Sequence, residues 1–204
     1  MGITERKERN KTEMRKRILD TAMKLFLEEG FGNVSLRRIA DKIEYSPATI
    51  YLYFKDKDEI LYALHTAGFE ELYKRQQKLL SIRDLRKRIQ RHGEVYIKFA
   101  LENPEYYNLM FILRSPARKI AEGDKLYVGR RSYEFFREDV GRAIKVGVLE
   151  KGDVDIATLA LWSMAHGIVS LILRNRCPMA EKEGLSKIAL GAYGYFLKTS
   201  RVTV

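Results

Sequence analysis

The chain has 204 residues, 46% of them hydrophobic, which excludes an unstructured polymer and leaves room for one or two domains with a buried core. Its formal net charge is +11 and its isoelectric point about 9.6, which suits a polyanionic partner and disfavours a basic one. A single cysteine, Cys177, excludes an intrachain disulfide and fits a reducing compartment.

The charge is spread along the chain. Residues 1–54 carry eleven Lys/Arg against eight Asp/Glu, and much of the excess falls in 74–91 and 114–142, where it suits solvated helix faces. The opening MGITERKERNK has no apolar stretch of the kind a secretory leader needs, so a cytoplasmic location is expected. Residues 1–11 read as a frayed polar end or a basic arm for a minor groove. A first helix is expected over 12–29, with Ile18, Ala22, Leu25 and Phe26 on its apolar stripe and Gly30 as its stop. Ser35 can cap a second helix to about Lys42, with Leu36, Ile39, Ala40 and Ile43 inward and Arg37, Arg38, Asp41 and Lys42 outward. After a turn at Glu44-Tyr45, Ser46 can cap a short helix that Pro47 starts without losing a needed N–H. In it Ile50 points inward, leaving Ala48, Thr49 and Tyr51 outward. Asp56 can cap a long helix to about Leu80.

Two short helices joined by a tight turn make a helix-turn-helix pattern, whose second helix can enter a major groove. The same pattern also describes a helical hairpin in an ordinary globular domain. Residues 17–61, RILDTAMKLFLEEGFGNVSLRRIADKIEYSPATIYLYFKDKDEIL, narrow the choice. This stretch resembles the DNA-binding domain of TetR-family transcriptional regulators. The likeness lies in Ile18-Leu19, Leu25-Phe26, Glu29-Gly30-Phe31, Ile39-Ala40 and Thr49-Ile50-Tyr51-Leu52-Tyr53-Phe54 followed by Lys57. Glu44 departs from the pattern, standing at a turn position where the family usually has Gly. The resemblance implies base contacts from Arg37 and from the recognition helix of Pro47, Ala48, Thr49 and Tyr51. It implies phosphate contacts from Ser35, Ser46, Tyr51, Tyr53, Lys55 and Lys57. A double-stranded operator and a homodimer are the implied partners.

Further on, helices are expected over 84–103, 105–113, 124–146, 153–174 and 184–199, with boundaries at Pro104, Ser115-Pro116 and Gly147. Residues 156–173 carry no charge, a length that borders on a membrane span, yet they hold Thr158, Ser163, His166, Gly167 and Ser170 and have no second such stretch, so no membrane association is expected. That helix shows two apolar stripes: Leu159, Trp162, His166, Val169, Leu173 and Ala157, Leu161, Met164, Ile168, Leu171. Ala160, Ser163, Gly167 and Ser170 run between them. With the last helix it reads as half of a four-helix dimer interface or as monomer core. The segments WSMAHG at 162–167 and NPEYYNLMF at 103–111 resemble elements of one TetR subgroup.

Tyr107, Met110, Phe111, Tyr133, Phe136, Trp162 and His166 are candidates to line an effector pocket, or to be plain core with His166 hydrogen-bonded inside. Few carboxylates point inward by pattern, so a neutral or anionic hydrophobic effector is expected, with Arg114 or Arg118 at the mouth. His65, His92 and His166 lack metal-ligand spacing with Cys177 or a carboxylate, and no phosphate loop or nucleophile elbow occurs, so no metal, cofactor or enzyme activity is expected. The expected fold is all-α with about nine helices. Residues 1–55 would be a three-helix DNA-binding domain and residues 56–204 an effector-binding and dimerisation domain. The function would be a ligand-released repressor; a helical small-molecule-binding module without specific DNA binding is the alternative.

Overall fold

The computed structural model describes residues 2–112, 128–177 and 184–199. Nine α-helices and no strand occur among the described residues. The candidate mouth residues Arg114 and Arg118, the boundary at Ser115-Pro116 and the start of the helix expected from 124 lie outside them.

Helix α1 spans Ile3–Glu29, longer than expected. The polar first residues are wound into it rather than frayed. They are rich in Glu, Lys and Arg, good helix formers, and contain no Pro. The Glu5 carboxylate accepts from Gly2 N–H at 2.8 Å, and Arg9 and Glu13 pair at the i,i+4 spacing, 3.6 Å apart. Gly30 ends α1 at φ +81°, a backbone that disfavours any side chain. A 3₁₀ turn, Phe31–Asn33, leads to α2, Leu36–Lys42, and then to α3, Pro47–Tyr51. Both caps form as expected. Ser35 Oγ accepts from Arg38 N–H at 3.1 Å and Ser46 Oγ from Thr49 N–H at 3.3 Å. Glu44 takes φ +62° between them, so this chain makes the left-handed turn without glycine.

Helix α4 is Lys57–Gln77, continued by a 3₁₀ turn at Lys78–Ser81. Asp56 Oδ1 accepts from Glu59 N–H at 2.7 Å and the Glu59 carboxylate accepts from Lys55 N–H at 2.6 Å, a reciprocal cap. Helix α5, Leu85–Glu102, starts at its Asp84 cap. Pro104 opens the short α6, Pro104–Tyr107, which passes into a π-helical turn at Asn108–Ile112. Helices α7 (Val128–Lys145), α8 (Val154–Leu173) and α9 (Leu185–Thr199) complete the set. The Asp153 carboxylate caps α8, accepting from Asp155 and Ile156 N–H at 2.9 and 3.0 Å.

The chain forms two compact units, Met1–Ala67 with Asn108–Asp124, and Gly68–Tyr107 with Lys125–Val204. Helix α4 contributes its first half to one and its second half to the other. In the first unit Ile18, Ala22, Leu25, Ile39, Ala40, Ile50, Ile60 and Leu61 are fully buried in one cluster, to which Leu109 is added. Phe26 packs on its edge. These are the inward residues that 3.6-residue periodicity selects.

In the second unit α5 packs against α7, α8 and α9. Ile89, Phe136, Val140, Ala143 and Leu161 form one core cluster. Buried positions on α8 are Thr158, Leu161, Ala165, Val169 and Ile172, a line that crosses both stripes read from the sequence. Ile156, Leu159 and Leu171 stay exposed, at 71%, 54% and 52%.

Helices α5 and α9 approach closely at Gly93. A Cβ there would meet the Tyr193 ring at 2.0 Å, and Tyr193 is fully buried. Gly93→Ala is therefore expected to destabilise the chain by about 1–3 kcal/mol through overpacking, despite alanine's better helix propensity. Urea unfolding followed by circular dichroism checks this; an unchanged midpoint would mean that Tyr193 moves aside freely.

Candidate nucleic-acid interface

The first unit displays one polar face built from α2 and α3. Arg37 and Ala48 are exposed, Pro47 and Thr49 partly so, while Ile50 between them is fully buried. Register explains this separation. Ile50 anchors α3 in the core, and a five-residue helix then has no choice but to turn Ala48, Thr49 and Tyr51 away from it. Tyr51 is 59% exposed. Leu52, next along, is 80% exposed and is not among the contacts expected from the sequence. An apolar residue so bare beside a recognition helix is the signal that could have marked it.

The two adjacent arginines differ in availability. Arg38 is held by Glu29, its Nη2 2.6 Å from the carboxylate. That hydrogen bond lowers the Glu29 pKa and raises that of Arg38. Arg37 has no ion pair among the described residues and is left to project. The Ser35 and Ser46 hydroxyl oxygens serve as caps, which still leaves each O–H able to donate. Ser46 Oγ also lies 3.0 Å from Thr49 Oγ1, fixing the rotamer of a candidate base contact.

Lys55 is exposed. Lys57 is partly buried: its Nζ donates to the Phe31 carbonyl at 2.9 Å and sits 4.6 Å from the Phe31 ring centre. Tyr53 is partly buried against the core, and its carbonyl accepts from Arg15 Nη1 at 3.2 Å. Ser46 thus caps α3, Pro47, Ala48, Thr49 and Tyr51 lie on it, Tyr53 and Lys55 fall in the segment after it, Lys57 opens α4, and Ser35 and Arg37 stand at the start of α2.

The aromatic candidates of the second half separate into groups. In the second unit Tyr107, Tyr133, Trp162 and His166 come together. His166 lies 5.3 Å from Tyr107 and 6.0 Å from Trp162 between ring centres, and Trp162 is 6.3 Å from Tyr133. Tyr96, missed in the sequence because it reads as one more apolar-stripe residue, places its Oη 2.9 Å from His166 Nδ1. Tyr107 Oη is 3.3 Å from Nε2. Burial pushes the His166 pKa down and those of Tyr96 and Tyr107 up. Each tyrosine hydroxyl can donate or accept, so either tautomer of the His166 ring can satisfy these contacts. Phe136 instead lies tilted against His92, 5.0 Å between centres. Met110 and Phe111 belong to the first unit.

Two carboxylates are buried among the described residues, Glu94 at 8% exposed and Asp139. Asp139 is fully buried and receives His92 Nε2 at 2.8 Å, Arg88 Nη2 at 2.9 Å and Arg142 Nη2 at 2.7 Å. A pattern reader places an Asp that directly follows Glu138 on the surface; here three cationic or donor groups hold it inside.

Comparison with known proteins agrees with this geometry. Residues 18–64 match the family model for bacterial regulatory proteins of the tetR family, and residues 89–186 that of a tetracyclin repressor-like C-terminal domain. An HTH-type transcriptional regulator of Staphylococcus aureus is 46% identical over 50 residues, which is 24% of this chain and 27% of that protein. The likeness to those curated relatives therefore spans about a quarter of their length. Over nearly the whole chain, the TetR-family regulator PfmR of Thermus thermophilus is similar at a TM-score of 0.69 and 26% identity, covering 89% of this chain and 97% of that one. The fatty acid degradation regulator FadR of Bacillus halodurans shares the fold at a TM-score of 0.73 and 18% identity, covering 90% and 93%. With one model on the helix-turn-helix and the other on the helices that follow it in the chain, the chain belongs to the TetR family of transcriptional regulators.

Proposed function

We propose that the protein is a homodimeric repressor that binds a pseudo-palindromic operator and is released by a small hydrophobic effector. The observation that carries the reading is the α2–α3 face, where Ile50 is buried and Arg37, Thr49 and Tyr51 are turned outward from a rigid, twice-capped scaffold. Arg37, Thr49 and their recognition-helix neighbours Pro47, Ala48 and Tyr51 read base edges, while Ser35, Ser46, Tyr53, Lys55 and Lys57 hold phosphates. Residues 1–55 would act as the reading domain and 56–204 as the regulatory one.

The dimer reading is supported by α8 and α9. Ile156, Leu159 and Leu171 on α8 and Ile188 and Tyr195 on α9 are large apolar side chains left exposed. By length and composition α8 is also long and apolar enough to cross a membrane. A second copy covers such a face without a bilayer, and two copies present two α3 helices to half-sites about 34–36 Å apart. The effector is a neutral or anionic hydrophobic molecule. Its candidate lining is Tyr107, Tyr133, Trp162 and His166. Its binding would shift α4, the helix both units share in sequence, and oppose DNA by about 1–3 kcal/mol of coupling.

Selection of duplexes from a random pool tests the reading first: a two-fold symmetric consensus is expected, and no enrichment would remove it. On that operator, Arg37→Ala and Thr49→Ala should each weaken binding by about 1–3 kcal/mol and relax base preference at one position of each half-site. Lys57→Ala should weaken all duplexes alike and flatten the salt dependence. Titration across salt concentrations separates the two kinds of contact. Identical behaviour of Arg37→Ala and Lys57→Ala would refute this division of roles.

A further inference from the structure

A cavity of about 370 Å³ lies inside the second unit, bounded by the start of α5, the loop after α7, α8 and the end of α9. It contains none of the aromatic residues assigned above to the effector. Its volume sits at the small end of the range for small-molecule sites, about 300–1,000 Å³. The apolar wall includes Leu161 and Leu197, and the cations Arg86 and Lys198 stand among the lining with one acid, Glu150. Neither Arg86 nor Lys198 has an ion pair among the described residues.

The loop wall is fixed in place. Val148 and Leu149 N–H both donate to the Ala143 carbonyl, at 2.8 and 3.1 Å, and Gly147 takes φ +73° to allow the turn. Such a wall needs no ordering when a ligand arrives, which removes one cost of binding. At Gly194 a Cβ would meet nothing within 4 Å, so the α9 backbone leaves open space where most helical residues would place a side chain.

We propose that this cavity is a second ligand site, separate from the aromatic cluster, for a small monoanionic amphiphile. The apolar chain lies against Leu161 and Leu197, and the anionic head is held between Arg86 and Lys198, whose two charges exceed the single charge of Glu150. A cationic amphiphile would meet the net positive charge; a neutral one would leave both cations unanswered.

Isothermal titration calorimetry of the full chain with octanoate, octanol and octylamine tests this. Octanoate is expected to bind saturably, octanol about tenfold more weakly, and octylamine not at all. Arg86→Glu with Lys198→Glu, both on exposed side chains, should weaken octanoate about tenfold and leave octanol unchanged. Gly194→Leu puts a side chain into the open space on a helix that tolerates it, and should abolish binding of both ligands. Sedimentation and thermal melting of each variant confirm that fold and assembly are kept; if Gly194→Leu fails to fold, the charge-reversal pair decides. Absence of octanoate binding overturns the proposal, as does octanoate binding that is unaltered in either variant, or octylamine binding as tightly as octanoate. Operator binding by the unaltered chain is measured separately, so the regulator reading stands or falls independently.

Discussion

Asp139→Ala should lower the free energy of unfolding by about 3–5 kcal/mol, the largest loss expected from any single substitution in this chain. Asp139 is fully buried, and Arg88 is 9% exposed. Removing the carboxylate leaves the Arg88 guanidinium without its counter-charge in an apolar interior, and leaves His92 Nε2–H without an acceptor. The network has no slack to absorb this, because Arg88 Nε and His92 Nδ1 already lack partners among the described residues. Burial alone would raise the Asp139 pKa, but the hydrogen bond and charge of His92, then the charges of Arg88 and Arg142, outweigh it and the net shift is downward. Burial lowers the His92 pKa in spite of Asp139.

The cost belongs to breaking the pair rather than to the pair's net worth. Asp139→Leu combined with Arg88→Met should therefore recover most of the loss. Urea unfolding followed by Trp162 fluorescence measures both, since Trp162 packs on the cluster of Val140 and Ala143. A loss of 3–5 kcal/mol corresponds to a fall in melting temperature on the order of 10 °C. If Asp139→Ala costs under about 1 kcal/mol, water reaches this network and the charges are not buried in the sense required.

The contrast between the two halves of the chain shows what a sequence exposes to reading. Ser35, Ser46 and Asp56 were legible as caps because a cap is a local event: the acceptor and the N–H it serves are three residues apart. Ile18, Ala22, Leu25 and Ile50 were legible because one helical period selects the buried side. Glu44 was legible as a left-handed position only through the family pattern. The pairs that build the second unit are different in kind. His92 and Asp139 are 47 residues apart, and Tyr96 and His166 are 70 apart. No periodicity joins such residues; only the packing of α5 on α7 and α8 does.

Composition misled at the N-terminus, where the polar residues ahead of Thr12 suggested fraying although their side chains favour helix. The site was half legible. Arg37, Thr49 and Tyr51 face outward as spacing requires, whereas the hold of Phe31 on Lys57 depends on a turn that no spacing rule anticipates.

The second large effect is a dependence of stability on pH set by His65. This residue of α4 is 2% exposed in the first unit, and burial pushes its pKa down to about 4, with the Met110 carbonyl pulling weakly the other way. A histidine whose folded pKa lies below its unfolded value takes up protons more readily in the unfolded chain. Its contribution is therefore fully present above the unfolded pKa of 6.5 and is lost as pH falls from there towards about 4. At about 1.4 kcal/mol per unit the loss over that window is about 3 kcal/mol. His92 and His166 shift in the same direction and add a background slope, so the parent curve alone cannot assign the effect. His65→Leu removes the proton site while keeping an apolar side chain in the same core. Its stability should start below the parent's near neutrality, because the Met110 carbonyl loses its donor, and should fall less steeply across the window. Below about pH 4 the two curves should run parallel, as Asp139 and the paired carboxylates of Glu29 and Asp155, all held at lowered pKa, begin to protonate in both proteins. Urea titrations at steps from neutral pH to about 4 measure the difference. Parallel curves for His65→Leu and the parent would show that the ring is protonated without unfolding, and would place water or a carboxylate beside it.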